Sequence, residues 1–105
     1  MSYKLYLDDK RFPPDNTWTL FRDADEAKAY IREHGLPSEW SFDHDLGLWK
    51  DTGYDFVKWL IYQYHLEEGN PIDFDFYDVH SANPVGVQNI IGLIEGFKKS
   101  LRDNE

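Results

Sequence analysis

The chain contains no cysteine, which removes a disulfide framework and thiolate chemistry and fits a reducing compartment. It also lacks any long apolar run. Residues 1–17 hold no apolar core of the signal-peptide kind, and nothing later approaches the ~20 apolar residues of a membrane span, so a soluble cytoplasmic protein is the expectation. Basic residues are scarce: 11 Lys and Arg stand against 20 Asp and Glu, for a formal net charge of -9. With no Lys/Arg block to track many phosphates, an extended nucleic-acid duplex is not a partner. A nucleic acid would have to be gripped at one point. Internal repeats, low-complexity segments and linkers are absent too, so the 105 residues read as one domain, residues 1–105. Aromatic residues, by contrast, are abundant. Seven Phe, seven Tyr and four Trp bury large areas from few positions and argue for a real core.

Taken in order, Tyr3 to Leu7 predicts a first strand that stops at Asp8-Asp9. The stretch Lys10-Arg11-Phe12-Pro13-Pro14-Asp15-Asn16 is too rich in proline for a helix and reads as an ordered loop. Thr17 to Phe21 has the composition of a second strand. Asp23 with Glu26 forms a capping-box pair ahead of Ala24, Ala27, Tyr30 and Ile31 at helical spacing, ended by Gly35 and Pro37. Trp40 to Asp43 is the third strand. After Asp51-Thr52-Gly53, a second helix carries Phe56, Val57, Leu60, Ile61 and Tyr64 on one face, with Trp59 and Tyr62 widening the stripe, up to Gly69-Asn70-Pro71. Asp73 to His80 is the fourth strand. Asn83-Pro84 then caps a third helix with Val87, Ile90, Ile91, Ile94, Phe97 and Leu101 on one face, and Asp103-Asn104-Glu105 is expected to fray. Long connections between the later strands predict a parallel α/β sheet of two or three layers. The short loop of residues 8–16 leaves the second strand the least determined element.

Three strands end in polar clusters: Asp8-Asp9, Asp43-His44-Asp45 and His80-Ser81 with Asn83. In a parallel sheet these ends meet at one edge, the edge at which open α/β sheets hold ligands. Adjacent aspartates at one strand end would more often make a turn. Asp8, Asp9, Asp43 and Asp45 at two strand ends, with no matching basic cluster, would repel one another unless a hard divalent cation such as Mg²⁺ or Mn²⁺ sat between them. His44 and His80, at strand exits, are candidates to divide general acid and base work. His34 and His65 suit the C-terminal ends of their helices and need no further role. Ser81, Asn83 and the free N–H groups of the third helix make a small anion site, with Arg11 as a phosphate clamp reaching over the same edge. The plainer reading makes Asn83 a helix cap and Arg11 a solvated charge.

The segments Leu5-Tyr6-Leu7-Asp8-Asp9-Lys10-Arg11-Phe12-Pro13-Pro14, Ser41-Phe42-Asp43-His44-Asp45-Leu46-Gly47 and His80-Ser81-Ala82-Asn83-Pro84-Val85-Gly86 resemble the cyclic-phosphate processing receiver domain, a divergent relative of the response-regulator receiver domain. The resemblance spans nearly the whole chain. It implies a small receiver-like, flavodoxin-like α/β fold: a mostly parallel four-stranded sheet in the order 2-1-3-4 with three helices. It also implies that Asp8 and Asp9 match the acidic pair that holds Mg²⁺, that Asp43 matches the phospho-accepting aspartate, and that Ser81 is similar to the hydroxyl residue that senses phosphorylation. The sequence departs from an ordinary receiver in two ways. No fifth strand follows the last helix, so its lysine is missing, and the proline-rich loop replaces the first helix. Both departures, with the added His44 and His80, turn the expectation from phosphorelay switching towards hydrolysis.

The first reading is therefore a metal-assisted phosphoesterase acting on a 2′,3′-cyclic phosphate of a nucleotide or RNA end, without a membrane partner. The second is a non-catalytic, degenerate receiver that binds a metal, nucleotide or protein. A third is a protein-interaction domain using loop aromatics such as Trp49 and Tyr54.

Overall fold

Four short strands, each with apolar side chains on one face, define the sheet. The computed structural model describes residues 2–47 and 50–103. Strands β1 (Lys4–Leu7), β2 (Trp18–Phe21), β3 (Glu39–Phe42) and β4 (Tyr77–Val79) are all parallel and lie in the order β2-β1-β3-β4. Residues paired in register share a face. Leu5 and Leu7 thus stand beside Phe21 of β2 and Trp40 and Phe42 of β3, and all five belong to one buried core.

Every helix packs on that same face. Helix α1 (Ala24–His34) contributes Ala24, Ala27 and Ile31, and α3 (Pro84–Asp103) contributes Ile90 and Ile94. Helix α2 (Gly53–Lys58) brings Phe56 and Val57, and its π-helical continuation Trp59–Glu67 brings Leu60 and Ile61. Rings interlock across the layers: Phe56 meets Trp40 at 6.4 Å and Phe42 at 6.1 Å between centroids, and Phe97 meets Phe74 edge-on at 6.0 Å. Of the two arrangements the sequence allowed, the described residues form the two-layer one. The other face carries Lys4 and Tyr6 of β1, Trp18 and Leu20 of β2, and Ser41 of β3, none of which belongs to that core.

The second strand, whose position the sequence left open, pairs parallel to β1 although no helix joins the two. Returning along a four-residue strand takes roughly 13 Å, with ~5 Å more for the lateral step. Residues 8–17 span at most ~33 Å, which is ample. Arg22 ties the loop down: its guanidinium donates to the carbonyls of Asp8 and Arg11, at 3.3 and 3.0 Å.

Several local expectations are corrected. The fourth strand is shorter than residues 73–80, because the Asp73 carboxylate accepts from the backbone N–H of Asp75 at 2.8 Å and turns the chain before pairing starts. Asp23 caps α1 by accepting from Glu26 N–H at 2.8 Å, but Glu26 reaches back only to Arg22 N–H, at 3.5 Å, not to the cap itself. The second helix widens after Lys58, and Glu68 N–H donates to the carbonyl of Gln63, five residues back. The wider turn rotates the stripe, leaving Tyr62 exposed while Trp59 and Tyr64 pack on the core. Leu101, assigned to the apolar face of α3, is also exposed. Helix α3 runs through Asp103, so that residue is helical; Asn104 and Glu105 lie outside the described residues. Trp49 lies outside them as well, and Tyr54 is a partly buried residue of α2 packed on the core, not an open loop aromatic. Among the described residues no helix is long and apolar enough to cross a membrane.

Candidate functional site

Parallel pairing brings the ends of β1, β3 and β4 together, as the three polar clusters required. Backbone bonds continue past the strands: Asp43 N–H donates to Leu7 O at 2.8 Å and His80 N–H to Phe42 O at 2.9 Å. Asp8, Asp43 and His80 are thereby held in adjacent rows. Asp8, Asp9 and Asp43 can each offer one carboxylate oxygen with all three atoms within 4.8 Å of one another. They line an open cleft of about 710 Å³, together with Lys10, Arg11, Asp45, Leu46, Gly47, Thr52, Ser81 and Ala82.

The chain is built to let these groups approach. Gly47 has φ 105°, a conformation open to glycine, and turns the β3–α2 loop beside the Asp9 carboxylate. A Cβ on Gly53 would fall 1.9 Å from the carbonyl oxygen of Asp43, so the start of α2 abuts the β3 exit only because that residue is glycine. Thr52 caps α2 reciprocally with Asp55, at 3.1 and 2.9 Å.

The carboxylates differ in environment. Burial alone would push the carboxyl of Asp8 up, but backbone N–H donors from Arg11 and Lys10 and the ring of His80 outweigh it and hold Asp8 below its ordinary pKa. Asp43 goes the other way. Burial, aided by the nearby charge of Asp8, raises its pKa although the Ser81 hydroxyl bonds to the carboxylate. Asp45 stands apart from the three-carboxylate cluster: it is exposed, and His44, then Asn83, hold its pKa down by hydrogen bonding.

Neither catalytic candidate among the histidines lines the cleft; each stands behind a carboxylate that does. His44 Nδ1 lies 2.9 Å from Asp45 Oδ1, and its ring rests on Gly86, where a Cβ would come within 2.3 Å of His44 Cγ. His80 Nε2 lies 3.0 Å from Asp8 Oδ2 and Nδ1 2.7 Å from Ser41 Oγ. The His80 ring stacks on Tyr6, with centroids 4.4 Å apart and planes 12° from parallel. Of the anion-site candidates, Arg11 lines the cleft and its guanidinium donates to the His80 carbonyl. Ser81 also lines it, while its hydroxyl accepts from Asn83 N–H at 3.1 Å. Asn83 does not: its Oδ1 accepts from Gly86 N–H at 3.0 Å, the plainer capping role. His34 tilts against Tyr30 and His65 bonds the Asn70 carbonyl at 2.7 Å, both remote from the cleft lining.

Sequence reasoning missed Tyr6, Ser41, Gly53 and Gly86, which shape the site from behind. Ser41 carried a signal, a polar residue inside the buried Trp40-Ser41-Phe42 strand. The two glycines carried none.

The family model described as Cyclic-phosphate processing Receiver domain matches residues 3–96. Neither the curated proteins nor the solved structures contain a match to the chain.

Proposed function

The chain belongs to the cyclic-phosphate processing receiver domain family, and from that premise we propose that it is a metal-assisted phosphoesterase that opens a 2′,3′-cyclic phosphate on a nucleotide or RNA end. The observation that carries this reading is the convergence of Asp8, Asp9 and Asp43 within 4.8 Å in a cleft that also presents Lys10 and Arg11. Three hard oxygen donors suit Mg²⁺ or Mn²⁺, and a cation would offset the burial that chiefly raises the pKa of Asp43 and the charge of Asp8 that adds to it.

Asp8, Asp9 and Asp43 would hold that cation, which supplies Lewis acidity and charge neutralisation at the phosphoryl group. Arg11 orients the non-bridging oxygens from the cleft wall, and the Ser81 hydroxyl joins it when its hydrogen turns from Asp43 to the phosphate. Water attacks phosphorus as the bond to one ribose oxygen breaks; that oxygen needs a proton, and His44, whose Nδ1 faces Asp45, would supply it from Nε2. Hydrolysis of 2′,3′-cyclic mononucleotides and of an oligoribonucleotide ending in a cyclic phosphate, with Mn²⁺ and again with chelator, tests the reading. Turnover abolished by chelation is expected. Turnover that survives it would remove the metal, and none in either condition would remove the esterase.

The position of both histidines behind carboxylates favours one alternative, a receiver-like module that binds without turnover. Beryllofluoride uptake at Asp43 in a protein that hydrolyses none of these substrates would establish it.

A further inference from the structure

His80 is the most completely engaged side chain at the edge. Its backbone N–H donates to Phe42 O and its carbonyl accepts from Arg11. Its two ring nitrogens face Asp8 and Ser41, and its ring lies flat on Tyr6. The partners fix the tautomer of a neutral ring. Asp8 can only accept, so Nε2 carries the hydrogen, and Nδ1 then accepts from the Ser41 hydroxyl. No ring nitrogen is left to meet a substrate.

Asp8 is as fully used. Oδ1 accepts from the backbone N–H groups of Lys10 and Arg11, at 2.8 and 2.9 Å, and Oδ2 accepts from His80. A carboxylate has about four lone-pair sites, so one remains, on Oδ2. We infer that His80 is a positioning residue, not a proton shuttle: with Ser41 and Tyr6 behind it, it fixes Asp8 Oδ2 as a single-oxygen ligand for the cation of the carboxylate cluster. The inference rests on that cluster holding a cation, as proposed above. Outer-shell donors of this kind typically contribute 10–100-fold to metal affinity.

The experiment compares wild type with His80→Ala, His80→Gln and Ser41→Ala. Mn²⁺ affinity is read by calorimetry and by the Mn²⁺ resonance spectrum, with turnover alongside and circular dichroism to confirm the fold. A glutamine amide can donate to Asp8 and accept from Ser41 but cannot exchange a proton in catalysis. His80→Ala is expected to weaken Mn²⁺ binding about 10–100-fold and Ser41→Ala by less, while His80→Gln keeps both affinity and turnover within a few-fold of wild type. If His80→Gln binds Mn²⁺ normally but is as inactive as His80→Ala, His80 moves protons and the inference falls. It falls equally if His80→Ala binds Mn²⁺ like wild type. Should His80→Ala fail to fold, His80→Gln and Ser41→Ala decide alone. Wild type that binds Mn²⁺ without hydrolysing any cyclic phosphate overturns the esterase and leaves the positioning role to be settled by the affinities. Wild type that does not bind Mn²⁺ overturns both.

Discussion

Replacing Gly86 with alanine sets two effects of known sign against each other. Gly86 sits in the first turn of α3, where alanine gains up to ~1 kcal/mol from helix propensity. Its new Cβ, however, would lie 2.3, 2.7 and 2.8 Å from His44 Cγ, Cδ2 and Cβ, far inside the ~3.5 Å at which carbon atoms rest. Rotating the imidazole cannot clear the overlap, because His44 Cβ is part of it. The β3 exit or the start of α3 must move, at the ~1–3 kcal/mol usual for overpacking. The clash wins, and a net loss of about 1–2 kcal/mol lowers Tm by roughly 5–10 °C in a domain of this size. Unfolding of Gly86→Ala in the wild-type and His44→Ala backgrounds measures the contact directly. Without Cγ and Cδ2 the cost shrinks, giving a coupling energy of about 1 kcal/mol or more. Equal stabilisation in both backgrounds would refute the seat of His44 on Gly86, and with it the placing of the His44–Asp45 pair.

Asp43→Asn is expected to stabilise the metal-free protein at neutral pH, on the order of 1 kcal/mol, because the folded state raises the pKa of Asp43 and its ionised form opposes folding. The gain should fade as pH falls through that raised pKa, where wild type takes up the proton, and a gain that grows in acid would contradict it. Mn²⁺ titration of the same variant should show lost affinity. Arg11→Ala is expected to raise KM for a cyclic phosphate roughly 10–100-fold, the worth of a charge-assisted contact, with Mn²⁺ affinity changed little; the reverse pattern would move Arg11 from the substrate to the metal site.

The strand exits at Asp8, Asp43 and His80 were legible because turn-favouring acids follow short apolar runs, and parallel pairing then puts them at one edge. The pairing order came from the family resemblance, since residues 8–16 look too short for a crossover until their reach is compared with a four-residue strand. The widening of the second helix was hidden because Phe56, Val57, Leu60, Ile61 and Tyr64 carry an ordinary helical pattern, whereas the chain runs as a π-helix from Trp59 to Glu67 with Tyr62 exposed. The roles of the histidines were illegible for another reason. Whether an imidazole faces solvent or a neighbouring carboxylate depends on side chains a sheet width away, here Ser41 and Tyr6 beneath His80 and the bare Cα of Gly86 beneath His44.

The helix-free link between β1 and β2 bears on the order in which the chain folds. Lys4 finds Trp18 across less than half the sequence separation that divides it from Glu39, and each doubling of loop length costs about 0.6 kcal/mol of closure entropy. The β1–β2 pair is therefore the earliest sheet contact open to the chain, and Asp8, whose Oδ1 bonds are to Lys10 and Arg11, can take its loop conformation with it. Asp43 and His80 arrive only when β3 and β4 dock. Destabilising substitutions in β4 should accordingly speed unfolding more than they slow folding, leaving one wall of the cleft formed before the other exists.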